Sequence, residues 1–169
     1  NVSGCSALRS LNCQSNKLIS LDLTACASLT TLRAGTNQLT TLNLDGCVSL
    51  KSFSCTKNQL TALDLTQCSS LQTLGCGQNL LTSLDLSSLT TLQELNCSSN
   101  QLTSINLTGC SSLQTIECEQ NLLTSLNVSG LTSLKSLKCT FNKLTVLDVS
   151  GLLNLTGVEC RDNILASLN

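Results

Sequence analysis

The chain of 169 residues contains no His, Pro, Met, Trp or Tyr, and only two Phe. Without His the commonest general base is missing, and Ser–His and Cys–His nucleophile pairs cannot form. Mixed Cys/His zinc sites are excluded for the same reason. A core filled in three dimensions normally leans on aromatic rings. Two rings cannot supply one, so a narrow core made by stacking one small unit is expected. Charge is also scarce: 11% of residues are charged and the net charge is −1. No overall field calls for nucleic acid. No apolar run approaches the roughly 20 residues that cross a bilayer, so this segment is not expected to insert into a membrane. No Gly-rich phosphate loop occurs either. The chain reads as a non-enzyme without a cofactor.

Leu, Ser, Thr, Asn and Cys make up most of what is present, and they recur in register. Asn16, Asn37, Asn58, Asn79, Asn100, Asn121, Asn142 and Asn163 are spaced by 21 residues, as are Leu8, Leu29, Leu50, Leu71, Leu92, Leu113, Leu134 and Leu155. Numbered from those leucines, the unit is L-x-x-L-x-C-x-x-N-x-L-x-x-L-(D/N)-L-x-x-(C/L)-x-x, eight times over without insertion or deletion. Repeats of this length mark stacked architectures. The L-x-C stretch alternates in and out, the pattern of a half-buried strand. A single turn cannot bury its own apolar side, but turns stacked about 4.8 Å apart bury a continuous column. The expected fold is a mainly β solenoid of eight turns in a parallel right-handed coil, with little or no α-helix. The second half of each unit, L-x-x-L-(D/N)-L, nearly copies the first. It predicts a second short strand on the other side of a flattened rod.

The repeated Asn follows the strand where the chain turns inward. Its amide both donates and accepts, so stacked Asn side chains can satisfy turn backbone groups that burial would leave unpaired. The unit resembles the leucine-rich repeat, L-x-x-L-x-L-x-x-(N/C)-x-L. More narrowly, it is similar to the 21-residue bacterial class called IRREKO, with Cys or Leu at the sixth position and L-D-L in the second half. The resemblance covers residues 1–169 as one domain. It implies a secreted or cell-surface bacterial protein whose repeats bind other proteins. Ala34 stands for the sixth-position Cys, Leu89, Leu131 and Leu152 for the second Cys, and Phe53 for a core Leu. Each keeps its position apolar.

Seven of the twelve cysteines hold the sixth position and five the nineteenth. No C-x-x-C pair occurs, and Leu or Ala replaces Cys at equivalent turns. That fits small buried hydrophobes with free thiols better than disulfides or a metal site.

Positions that differ among the turns are not fixed by the fold. Every Lys, Arg and Glu lies in the first half of the unit or beside its Asn, Lys17 and Lys143 directly after it, and the candidate recognition set is drawn from the others. The set runs Arg9, Arg33, Lys51 and Lys57 (basic), then Glu94, Glu117 and Glu119 (acidic), then Lys135, Lys138, Glu159 and Arg161, with the aromatic Phe141. Such a stripe can set partner register by complementary charge. Phe141 with Lys138 and Arg161 is the expected anchor, since exposed aromatics and Arg carry most binding energy. Glu117 and Glu119 flank Cys118 and are expected to point together into solvent. The second half is uniform, with a Thr column (Thr40 to Thr145) and an Asp/Asn column (Asp22 to Asn169). Solubility and turn geometry explain it, while calcium or carbohydrate binding there stays open.

The leading expectation is a protein-binding repeat domain. A structural spacer or stalk without a specific ligand is the alternative. The chain begins and ends at the fifteenth repeat position, with no polar cap over its core. It therefore reads as part of a longer protein, with end-to-end contacts to further repeats or other subunits.

Overall fold

The computed structural model describes residues 2–169. Asn1, the fifteenth-position residue with which the sequence begins, lies outside them. Among the described residues there is no helix. Eight three-residue strands make one parallel sheet: β1 (Ser10–Asn12), β3 (Thr31–Arg33), β5 (Ser52–Ser54), β6 (Thr73–Gly75), β8 (Glu94–Asn96), β10 (Thr115–Glu117), β11 (Ser136–Lys138) and β13 (Gly157–Glu159). Every pairing is in register with the repeat, Leu11 opposite Leu32 and Leu32 opposite Phe53. Each strand sets one inward apolar residue between two outward residues that are polar or Gly. That is the shortest stretch that alternates out, in and out again.

The second strand is only partly realised. β2 (Ser20–Asp22) pairs with β4 (Thr41–Asn43), β7 (Ser83–Asp85) with β9 (Ser104–Asn106), and β12 (Val146–Leu147) with β14 (Ser167–Leu168). Turns three and six, at residues 62–64 and 125–127, form no strand. The opposite side is thus three separate pairs rather than the continuous second rank that the internal near-copy suggests. The first half turns inward immediately after its strand and is pinned there by the Asn amide. The second half has no such clamp and instead leaves through two consecutive tight turns, such as Cys26 N–H to Leu23 O and Leu29 N–H to Cys26 O. Gly46, Gly109, Gly130 and Gly151 sit inside the first of these with φ near +80°, where a type II turn favours Gly.

The core is one column of Leu and Cys, with Phe53 its largest fully buried side chain. The Asn ladder stitches it. Asn100 Nδ2 donates to Cys76 O (3.1 Å) and Cys97 O (3.0 Å), while its Oδ1 accepts from Leu81 N–H (3.0 Å). Asn58, Asn79, Asn121 and Asn142 repeat this pattern. Each amide satisfies an otherwise orphaned N–H of the preceding turn and ties two turns together.

The residue before each Asn adopts a left-handed conformation in all eight turns: Ser15, Thr36, Lys57, Gln78, Ser99, Gln120, Phe141 and Asp162, with φ between 53° and 61°. None is Gly. Eight side chains therefore hold a conformation that costs an L-residue roughly 1–2 kcal/mol, and the bonds around the Asn must offset it.

Candidate functional site

The candidate residues all lie in or beside the eight-stranded sheet, arranged in columns along the stack. Arg9, Lys51 and Lys135 precede the strand and form one rim. Glu94 opens its strand, and Arg33, Glu117, Lys138 and Glu159 close theirs. Glu119 and Arg161 come two residues later. Lys57 and Phe141 occupy the left-handed position and form the other rim. The columns are shared, but the residues spread over seven of the eight turns, with none in turn four, and do not make one patch.

Hydrogen bonds redraw the expected charge stripe. Lys138 Nζ contacts Glu117 Oε1 at 2.8 Å, and Asn96 Nδ2 donates to Glu117 Oε2 at 2.6 Å. The hydrogen bond to Glu117, then its charge, raises the Lys138 pKa. Lys135 Nζ donates to Gln114 Oε1 at 2.9 Å. Both lysines are thus engaged along the stack. Glu94 is exposed and has no side-chain partner among the described residues. Glu119 departs from the expected outward pair: its Oε2 is buried without a hydrogen-bond partner. The chain bends inward directly after the strand, so a carboxylate two residues beyond Glu117 is drawn towards the stack. Phe141 is 46% exposed, and the Arg161 guanidinium lies 5.6 Å from its ring centroid, a cation–π distance.

One feature of this side was missed in the sequence. Over turns three to six the sheet surface sinks into a depression of about 410 Å³, lined by Ser52, Ser54, Thr73, Gly75, Glu94, Asn96, Thr115 and Glu117. The run of small residues at strand positions was its only sequence signal, and small residues in a strand usually report nothing beyond surface polarity.

On the opposite side the Asp/Asn column makes turns. Asp22 Oδ1 accepts from the Thr24 hydroxyl (2.6 Å) and amide (3.0 Å), and Asp64 does the same with Thr66. The Thr24 hydroxyl, then its amide, holds the Asp22 carboxyl below its ordinary value. For Asp64 the Thr66 amide leads. Asn43, Asn106 and Asn127 accept equivalent amide bonds, so this column needs an Asx oxygen rather than a charge. Among the described residues no three carboxylate or thiol side chains gather as a metal site would require.

All twelve cysteines are free, and nine are buried. The nineteenth-position thiols have a local role. Cys26, Cys47 and Cys110 each donate to a backbone carbonyl of the preceding turn, at 3.2–3.5 Å. Burial pushes the thiols up, Cys47 and Cys110 to about 11 and Cys68 and Cys76 to about 12. They are therefore poor nucleophiles at neutral pH.

No protein-family model and no curated protein matches the sequence. Solved structures do match. The functional domain of InlJ from Listeria monocytogenes, which includes a cysteine ladder, aligns with 100% of this chain at 31% identity and a TM-score of 0.81. YopM from Yersinia enterocolitica aligns with 96% at 24% identity and a TM-score of 0.76. A leucine-rich-repeat protein of Leptospira interrogans aligns with 81% at 25% identity and a TM-score of 0.62. The chain spans 43%, 39% and 44% of those three proteins respectively. With its single in-register parallel sheet, stacked Asn amides and Leu/Cys column, the chain has the fold of a leucine-rich-repeat solenoid.

Proposed function

We propose that this is a non-catalytic, protein-binding repeat domain of the 21-residue bacterial class, carried by a secreted or cell-surface protein. The partner is recognised through the strand side. The carrying observation is a division within the repeat. The core, the Asn clamp and the Asp/Asn turns barely change from turn to turn, while Lys, Arg, Glu and the exposed Phe141 are confined to the strand and its rims. A stack that needs only solubility has no reason to sort its variation this way. The similarity to leucine-rich-repeat proteins supports the reading.

The energetic anchor assigned to this side is Phe141 with Arg161, since the ring is half exposed and already carries its cation. Desolvated aromatics and Arg are the residues whose loss costs most at interfaces. The test uses the domain and a Phe141→Ala/Arg161→Ala variant as bait on envelope proteins. Any captured protein is purified and its affinity measured directly. An affinity drop of tenfold or more for the variant, with Thr103→Ala unchanged, supports the reading. Equal affinities would move the site away from Phe141 and Arg161, and no saturable partner for either bait would favour the spacer alternative.

A further inference from the structure

We propose that the depression over turns three to six is a subsite for a basic extended segment of a protein partner, with an Arg or Lys side chain lying across Gly75 towards Glu94. This rests on the strand-side reading and adds the place and the chemistry. Three independent observations carry it.

The first is shape. The sheet surface is hollow there, about 410 Å³, because turns three and four present Ser54 and Gly75 in the column that carries Arg33 and Glu117 elsewhere, and Ser52 and Thr73 in the column of Glu94.

The second is that the fold does not require Gly75. Its φ is not positive, and a Cβ would meet only side-chain atoms at 3.4–3.8 Å, which is ordinary contact. Gly77 differs, since a Cβ there would lie 2.9 Å from Asn96 Oδ1 and 3.1 Å from Ser98 O. Gly weakens a strand and often marks a place where another backbone or ligand comes close. At Gly75 the missing side chain opens the floor of the hollow and serves no other visible purpose.

The third is charge. Across the outward strand columns of turns four to six the side chains are Gln72, Thr73 and Gly75, then Gln93, Glu94 and Asn96, then Gln114, Thr115 and Glu117. Two are carboxylates and none is a cation. Among the bordering cations, Lys138 of turn seven is bound to Glu117, and Lys51 and Lys57 of turn three stand on the two rims, while Glu94 has no partner. Glu94 lacks a cation, and an extended segment that lays an Arg or Lys side chain across Gly75 would supply it.

The probe is a synthetic peptide of alternating Thr and Arg, with a Thr/Glu peptide of the same length as its counterpart. Binding to ¹⁵N-labelled protein is read from amide shifts. The Thr/Arg peptide is expected to move the amides of Thr73, Gly75 and Glu94, to weaken as salt rises, and to have no Thr/Glu equivalent. Glu94→Lys is expected to abolish binding. Gly75→Thr fills the hollow and is expected to weaken binding at least tenfold with an unchanged or higher thermal midpoint, so lost binding cannot be mistaken for lost fold. Thr103→Ala, an exposed position in the second half of the repeat, is expected to leave peptide binding unchanged. Equal binding by Gly75→Thr, equal binding of the Thr/Glu peptide, or shifts confined to other residues would overturn the proposal. If the peptide fails while a natural partner still depends on Phe141, the subsite is wrong and the strand-side reading stands. If a natural partner is indifferent to both Phe141 and Glu94, the reading itself falls.

Discussion

Replacing one Asn of the ladder isolates what holds two turns together. Asn100→Ala removes the acceptor of Leu81 N–H and one donor each to Cys76 O and Cys97 O. The two carbonyls keep a second donor, Asn79 Nδ2 for Cys76 O and Asn121 Nδ2 for Cys97 O. The main penalty is therefore the buried Leu81 N–H, about 1–3 kcal/mol for an unsatisfied group, with roughly 0.5–1 kcal/mol for each lost bond. A total of about 2–5 kcal/mol is expected. Because each repeat contacts only its neighbours, the loss should show first as local opening. Urea unfolding gives the total, and hydrogen exchange should show the Leu81 amide losing protection while Leu144, held by Asn163, keeps it. Asn16 is exposed, and its amide donates only within its own turn, so Asn16→Ala should cost well under half as much. Asn100→Asp adds a signature. It keeps the acceptor for Leu81 but faces two carbonyls with a carboxylate, so its folded-state pKa must be raised. Its stability is then fullest below the unfolded value near pH 4 and declines as pH rises through the folded value. A loss below about 1 kcal/mol for Asn100→Ala, with Leu81 still protected, would refute the clamp.

The left-handed position predicts a gain. Gln78→Gly relieves a φ of 54° and should stabilise by about 0.5–1 kcal/mol after the entropy Gly adds to the unfolded chain; a drop in the urea midpoint would contradict it. Alkaline pH should unfold the stack. Cys47 and Cys110 are pushed up to about 11 and Cys68 to about 12, while an unfolded thiol ionises near roughly 8.5. The thiols' contribution is fully present below that value and is lost as pH rises towards 11–12, so circular dichroism should fall and alkylation accelerate together over that window. A stack that stays folded and unreactive to pH 12 contradicts this. Cys97→Ala should be tolerated better than Cys97→Ser, since Ala34 already occupies the same column whereas a hydroxyl there needs a partner costing about 1–3 kcal/mol to omit; thermal midpoints in the reverse order would count against an apolar column.

The repeat, its core and the parallel stacking were legible because every turn repeats the same test. Leu at the fourth position and Cys at the sixth can only be buried by a neighbour offering the same pair. The Asn column was legible as a ladder, but its partners came from the structure: the carbonyls it bonds belong to two different turns. The left-handed residue before it left no trace in the sequence, because Ser, Thr, Gln, Lys, Phe and Asp all occupy it.

For the candidate site the division is sharper. The sequence by itself determined which residues are free to vary, since a strict 21-residue period separates what the stack needs from what it tolerates. It could not say which charges are available. The long side chains of Lys138 and Lys135 can reach along the stack, and only the spacing of adjacent turns brings them to Glu117 and Gln114. Nor could it say that the near-copy in the second half would pair in three places and not throughout, or that Glu119 would turn inward beside an outward Glu117. Those outcomes depend on how neighbouring turns sit against one another, a property of the stack that no single repeat contains.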